Sequence, residues 1–244
     1  MKADSYSALA LIYGHLMKSI DYEKWAEYIY AISKDVPQHN LDVLELACGT
    51  GIIGEHLKKK FGGLMITDKA PHMLKQNSLE GASRVCCDMT SLPFKHKFDF
   101  IYSTFDSVNY ILSKEKFIGM LNEVSASLSG HGIFTFDVSM EKNSIRYQRY
   151  LNRKGKYQKI TYQQKSFYNE KSRIHYNIFD ITMPDGSVIE EVHKQKIYAF
   201  EDYFRFIDST EFYVHKCYEA FSYKDANENS ERAQFILKKK HADI

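Results

Sequence analysis

Val43-Leu44-Glu45-Leu46-Ala47-Cys48-Gly49-Thr50-Gly51 is the stretch on which the fold turns. Leu41 to Ala47 is an apolar run of strand length. A glycine-rich turn then breaks it before a helix ending in Lys58-Lys59-Lys60 and Gly62-Gly63. Lysine in a last turn with glycine after it is a helix stop signal. The chain has only twelve glycines, yet Gly49, Gly51 and Gly54 fall within six residues. Such a loop lets backbone approach a ligand closely, and the helix behind it favours an anionic group.

Outward from this loop the pattern alternates. Upstream, Leu9, Tyr13, Leu16 and Ile20, then Trp25, Ile29 and Ile32, predict helix up to Pro37. Downstream, strands are expected at Leu64–Thr67, Arg84–Cys87, Phe98–Thr104 and Gly132–Val138. Helices are expected after Pro71 and over Lys114–Leu128, the latter closed by Gly130. Strands alternating with helices predict an α/β fold: a doubly wound, mostly parallel sheet of seven strands. After Met140 the period changes to two, as in Ile174-x-Tyr176-x-Ile178, and Pro184-Asp185-Gly186 supplies a hairpin turn. A helix near Glu201–Ser209 and strands at Phe212–Tyr218 and Ala233–Leu237 close the chain. The expected organisation is a core of residues 1–140 and 200–244 carrying an antiparallel insertion, 141–199.

Composition narrows the class. At 244 residues, 44% hydrophobic and 26% charged, the chain is globular and long enough to bury a core without a metal or disulfide. Lys plus Arg number 33 and Asp plus Glu 31, a net charge of +2 that excludes a strongly cationic overall surface. No run reaches the ~18 apolar residues of a membrane span. The four cysteines, Cys48, Cys86, Cys87 and Cys217, show no framework spacing. A reduced, cytoplasmic protein is expected.

Gly49-x-Gly51-x-x-Gly54 fits a dinucleotide fingerprint, with Asp68 near the usual offset. Glu45 argues otherwise. A carboxylate just ahead of the loop would repel a pyrophosphate, at up to about 4 kcal/mol for like charges ~4 Å apart. The same charge attracts the ammonium and sulfonium of S-adenosylmethionine, whose carboxylate the glycine backbone can receive. Charge therefore favours S-adenosylmethionine.

Further motifs follow in order: Ile66-Thr67-Asp68-Lys69-Ala70-Pro71-His72-Met73-Leu74, Cys87-Asp88-Met89, and Phe98-Asp99-Phe100-Ile101-Tyr102 running into Phe105-Asp106-Ser107-Val108-Asn109-Tyr110. With the glycine loop they resemble the class I S-adenosylmethionine-dependent methyltransferases over nearly the whole chain. Ala10 to Tyr13, Asp106–Tyr110, Glu190-Glu191-Val192-His193 and Ser230-Glu231-Arg232 are similar to a bacterial group of small-molecule methyltransferases with an antiparallel lid, related to glycine and aminosugar N-methyltransferases. One departure is Gly14, where that group usually has Asp after the helix tyrosine.

The resemblance implies cofactor contacts from Tyr13, Glu45, Ala47, Gly49, Gly51, Asp68, Lys69, Met73, Asp88, Met89, Thr104 and Phe105. Asp68 would take the ribose hydroxyls, Asp88 the adenine amine with Met89 beside the ring, and Phe105 the adenosyl or methyl end. Tyr13 would reach the methionine end. Asp106 and Asn109, after the fourth strand, would face the transferred methyl, and His193 with Glu191 would orient or deprotonate an acceptor.

No metal-ligand spacing such as HExxH, no Asn-Pro-Pro-aromatic motif and no Pro-Cys nucleophile is present. No metal is expected. Between Glu141 and His175, ten Lys or Arg stand against two Glu, with Tyr147, Tyr150, Tyr157, Tyr162 and Tyr168 interleaved. Basic residues among aromatics suit RNA or an anionic, phosphorylated acceptor. The favoured reading is N- or O-methylation of a small molecule; the alternative is RNA methylation through the basic insertion.

Overall fold

The computed structural model describes residues 6–37, 40–76, 79 and 81–240. A 3-10 turn, Leu9–Leu11, and a short α1 (Tyr13–Leu16) lead into α2 (Tyr22–Ser33). Asp21 caps α2 by accepting the Lys24 amide at 2.9 Å, with Glu23 in the first turn favouring the helix dipole. There follow β1 (Asp42–Leu46), α3 (Ile52–Leu57), β2 (Gly63–Asp68), α4 (Pro71–Lys75), β3 (Ser83–Cys86), β4 (Phe98–Ser103), α5 (Lys114–Ser127) and β5 (Leu128–Ser139).

Seven strands form one sheet in the order β10-β11-β5-β4-β1-β2-β3, with β10 (Phe212–Glu219) and β11 (Arg232–Lys239) antiparallel to each other and β11 antiparallel to β5. The other five pair in parallel. Alternation distributes side chains to two cores. Leu44, Leu46, Phe98, Ile101, Phe134 and Phe136 pack with α5 and α7 (Phe200–Asp208). Val43, Phe100, Tyr102 and Ile133 pack with α2 and α3 on the opposite face.

Two details differ from the expected pattern. Gly130 does not close α5: the helix stops at Ser127, Leu128 is already extended, and Gly130 lies inside β5. Residues 141–199 also begin with a helix, α6 (Glu141–Tyr147), whose seven residues, about two turns with Ser144 the buried one, left little apolar periodicity to read.

Four antiparallel strands then form a second sheet in the order β6-β7-β8-β9: β6 (Arg153–Tyr157), β7 (Ile160–Asn169), β8 (Ile174–Thr182) and β9 (Val188–Lys196). Its apolar face holds Tyr162, Phe179 and Ile181, which pack on Ala8, Leu9, Ile12 and Leu16. Ala10 of the same N-terminal segment packs with Ala70 and Met73, against which Tyr6 and Tyr13 lie. The segment is thus wedged between the second sheet and the loops at the carboxyl ends of β1 and β2.

Candidate active site

The carboxyl ends of β1 and β4, neighbours in the sheet, carry the backbone strain. Ala47, Gly49 and Gly51 have φ of +53°, +57° and +74°, and Phe105 and Asp106 have φ of +57° and +49°. Left-handed backbone at non-glycine residues costs about 1 kcal/mol or more, and clusters where a site needs it. A Cβ on Gly49 would stand 3.2 Å from Met73 Cε, so the loop is also packed close.

Asp68, ending β2, holds this loop in shape. Its carboxylate accepts the Gly49 amide at 2.8 Å and the Ala70 amide at 2.7 Å, one on each oxygen. Each oxygen keeps a second lone pair, which suits a vicinal diol. Burial pushes the Asp68 carboxyl up, against the pull of those amides. Asp88 accepts from Lys69 at 2.7 Å and from the Thr90 amide and hydroxyl, both at 2.9 Å. Burial raises it, but Lys69 and Thr90 prevail, and its carboxyl lies below the ordinary value. Met89 is half-buried beside it.

Glu45 points to the face covered by α2 and α3. It is 1% exposed, and Gly54 leaves room for it: a Cβ there would stand 3.0 Å from Glu45 Oε2. Among the described residues neither Oε2 nor the neighbouring Tyr102 hydroxyl makes a well-formed hydrogen bond, although Tyr102 and the Gly54 amide face the carboxyl closely enough to offset part of its burial. Burial pushes the Glu45 carboxyl up to about 8, with Asp68 adding repulsion. A buried carboxyl beneath a glycine loop, paired with no cation among the described residues, fits a cofactor carrying a cation and does not fit a pyrophosphate.

The residues after β4 are drawn elsewhere than to each other. Phe105 packs on Trp25 and Tyr22, at centroid distances of 4.6 and 5.6 Å. Thr104 is buried, and its carbonyl accepts the Ser107 hydroxyl at 2.8 Å. Asp106 pairs with Arg232 at 2.6 Å, and Gln195 of β9 donates to it. Arg232 also pairs with Asp137, which accepts the Asp106 amide at 2.9 Å. Asn109 is 1% exposed and committed: its Oδ1 accepts the Ser139 amide at 3.0 Å, and its Nδ2 faces the Lys196 carbonyl at 2.8 Å. It joins the two sheets rather than presenting a free amide.

Tyr13 lies edge-on to Tyr6, centroids 5.9 Å apart, and the Tyr6 and Tyr110 hydroxyls are 2.7 Å apart. Burial pushes the Tyr13 phenol up, and both Asp106 and Asp68 lie within its electrostatic reach. His193 completes the cluster, 4.6 Å from Tyr6 and 6.1 Å from Tyr110 between ring centroids. Sequence reasoning assigned no role to Tyr6, Tyr110, Asp137, Gln195 or Arg232. A lone carboxylate in the apolar run Phe134-Thr135-Phe136-Asp137-Val138 was the available signal for Asp137 and its cation.

Residues 43–132 match the family model described as a methyltransferase domain. Over 96% of this chain and 97% of the relative, the protein is 27% identical to the Bacillus subtilis (strain 168) protein named "Putative methyltransferase YqeM". Its fold is similar to that of an S-adenosylmethionine-dependent methyltransferase from Clostridium acetobutylicum, with TM-score 0.78 and 24% identity over 96% of this chain and 99% of that one. It is also similar to that of the sugar N-methyltransferase KedS8 from Streptoalloteichus, with TM-score 0.75 and 14% identity over 95% and 93%. Sheet order and glycine loop agree with that domain match and support a class I S-adenosylmethionine-dependent methyltransferase. S-adenosylmethionine is the cofactor that this likeness supports. Among the described residues no helix is long and apolar enough to cross a membrane.

Proposed function

We propose that this protein methylates a nitrogen or oxygen of a small-molecule acceptor, and that Tyr6, Tyr13, Tyr110 and His193 line the acceptor end of its site. The carrying observation is the closure of that cluster: the N-terminal segment and β9 meet over it, joined by Glu191, which accepts the amides of Tyr6, Ala8 and Leu9 at 2.7, 2.6 and 2.9 Å. A cluster covered in this way suits a compact acceptor better than a polymer. The likeness to a sugar N-methyltransferase supports the same class.

The residues that would hold the cofactor are the Ala47–Gly51 loop, Glu45, Asp68 with Lys69, Met73, Asp88, Met89, Thr104 and Phe105. Bound there, S-adenosylmethionine supplies a methyl group already activated on a sulfonium. The protein's own part is to exclude water and orient the nucleophile, which can supply about 7–11 kcal/mol of a barrier. Tyr13 reaches from the cofactor side toward the acceptor. Asp106, held by Arg232 and Gln195, fixes the wall between them. Asn109 acts through position, fastening the β4 end to the β9 end.

The basic insertion favours RNA less than its composition implies. In β7, Tyr162 and Tyr168 turn inward while Lys165 and Phe167 face out, and Tyr157 stacks on His15 at 4.9 Å. Cations and most of these tyrosines therefore do not share one stacking surface. Calorimetry should show S-adenosylmethionine and S-adenosylhomocysteine binding and NAD not binding. Filter binding of tRNA at two salt concentrations should show no tight, steeply salt-dependent complex; finding one moves the acceptor to RNA.

A further inference from the structure

Glu191 and His193 stand two residues apart on β9, so both point to the inner face of the second sheet. Their side chains are 0% and 1% exposed, and His193 Nε2 lies 3.2 Å from Glu191 Oε2. A carboxylate only accepts, so this contact puts the imidazole proton on Nε2 and leaves the Nδ1 lone pair bare. Nδ1 is buried and has no hydrogen-bond partner among the described residues. An unsatisfied buried acceptor is uncommon and calls for an explanation. Around the ring stand Tyr6, Tyr110 and Phe179, the last at 5.7 Å.

Glu191 is anchored from a second side. Oε1 accepts the Ala8 and Leu9 amides and the Ser7 hydroxyl, and Oε2 accepts the Tyr6 amide. Burial pushes its carboxyl up, but the hydrogen bonds from His193, Leu9, Ala8 and Tyr6 outweigh that and hold it below the ordinary value. It therefore stays ionised behind the imidazole. A buried carboxylate fixing the tautomer of a histidine, with the far nitrogen free, is the arrangement that makes histidine a general base.

The other groups in reach are already occupied. Asp106 is paired with Arg232, Asp68 is holding the glycine loop, and burial keeps the phenols of Tyr6, Tyr13 and Tyr110 protonated at neutral pH.

We propose that Glu191 and His193 form a proton-accepting dyad and that the acceptor is an amine, entering as its ammonium form among Tyr6, Tyr110 and His193. In the step assigned to the dyad, an N–H bond of the acceptor breaks and Nδ1–H forms. The electron pair remains on the acceptor nitrogen, and the positive charge passes to an imidazolium beside Glu191. The amine class follows from proton affinity and from the walls. An imidazole lies about four pH units below an alkylammonium, whereas a water-like hydroxyl lies about nine above an imidazole. Aromatic faces with a carboxylate behind them also attract a cation. The inference rests on the methyl-transfer reading.

Full-length protein carrying 15N-labelled histidine and loaded with S-adenosylhomocysteine separates the two. Wild type should show His193 with Nε2 protonated and Nδ1 bare, assigned by the resonances that His193→Asn removes. Propylamine should shift the Nδ1 resonance as it becomes a hydrogen-bond acceptor; propanol at equal concentration should not. Glu191→Gln should move the proton population toward Nδ1 and abolish the response. His193→Asn should bind S-adenosylhomocysteine within about threefold of wild type, a result that a histidine needed only to hold the fold around the cofactor would not permit. A wild-type imidazole protonated on Nδ1, no response to propylamine, or an equal response to propanol overturns the dyad or its amine class. Failure of wild type to bind S-adenosylhomocysteine at all instead overturns the methyl-transfer reading.

Discussion

If Glu45 faces the cofactor's cation, as proposed, cofactor binding is a proton-linked event. Its carboxyl is displaced from 4.5 to about 8 by burial and by Asp68, which corresponds to about 4–5 kcal/mol for holding the charge without a cationic partner. The folded value lies above the unfolded one. The folded state therefore keeps its proton between pH 4.5 and about 8, where the unfolded chain has lost it. The stability this contributes is complete below 4.5 and lost as pH rises through about 8. An ammonium ~5 Å away at an effective dielectric of ~20 offers about 3 kcal/mol, enough to pull the carboxyl down by about two pH units. Cofactor binding near pH 7 should then expel most of one proton, and affinity should climb toward pH 8. Titration calorimetry at pH 7 in two buffers of different ionisation enthalpy reads that proton directly. Glu45→Gln should bind S-adenosylmethionine at least tenfold more weakly, release no proton, and lose the decline in stability across pH 5–8. No proton release in wild type, or equal release in the variant, refutes the reasoning.

Three further outcomes follow from the geometry. Asp68→Ala removes the acceptor for the Gly49 and Ala70 amides as well as the proposed ribose contact; it should weaken cofactor binding by more than tenfold and lower unfolding stability by about 1–3 kcal/mol, read by urea denaturation. Ala47→Gly relieves a left-handed alanine at φ +53° and should raise the free energy of unfolding by about 0.5–1 kcal/mol, a neutral or negative change counting against strain there. Asn109→Ala strips partners from the Ser139 amide and the Lys196 carbonyl; it should cost about 2–4 kcal/mol in thermal unfolding while leaving cofactor affinity near wild type.

Periodicity made the sheet readable because each central strand is an apolar run bounded by a turn, as in Leu41–Ala47 or Phe98–Thr104. Asp68 was readable for the same reason: it ends a strand beside the loop. What escaped was set by partners distant in sequence. Nothing local to Asp106 announces that Arg232 will neutralise it, and nothing near Asn109 says that its amide will meet Ser139 and Lys196. Tyr6 lies ahead of any regular element, and only the Glu191 carboxylate, 185 positions away, gives its backbone a place. The charge count over 141–175 was correct as composition, but alternation in β7 sends Tyr162 and Tyr168 to the side away from Lys165.

Strand β9 shows how register, more than any single residue, builds the proposed acceptor end of the site. Phe179 pairs with Glu191 and Asn177 with His193, and the period of two sends 191, 193 and 195 to one face. Glu191 meets the N-terminal segment, His193 meets Tyr6 and Tyr110, and Gln195 meets Asp106 after β4. Contacts of three side chains with two separate parts of the chain, the N-terminal segment and the stretch after β4, thus depend on one pairing. A slip of one residue would turn all three outward and bring Glu190, Val192 and Lys194 in, stranding charge against the buried Tyr162–Ile181 face. The tight Met183–Ser187 turn, with Gly186 at φ +85°, guards against that slip by fixing where β9 begins. The acceptor end is therefore encoded in a hairpin and an alternation, and its chemistry is inherited from whichever side chains stand at those three inward positions.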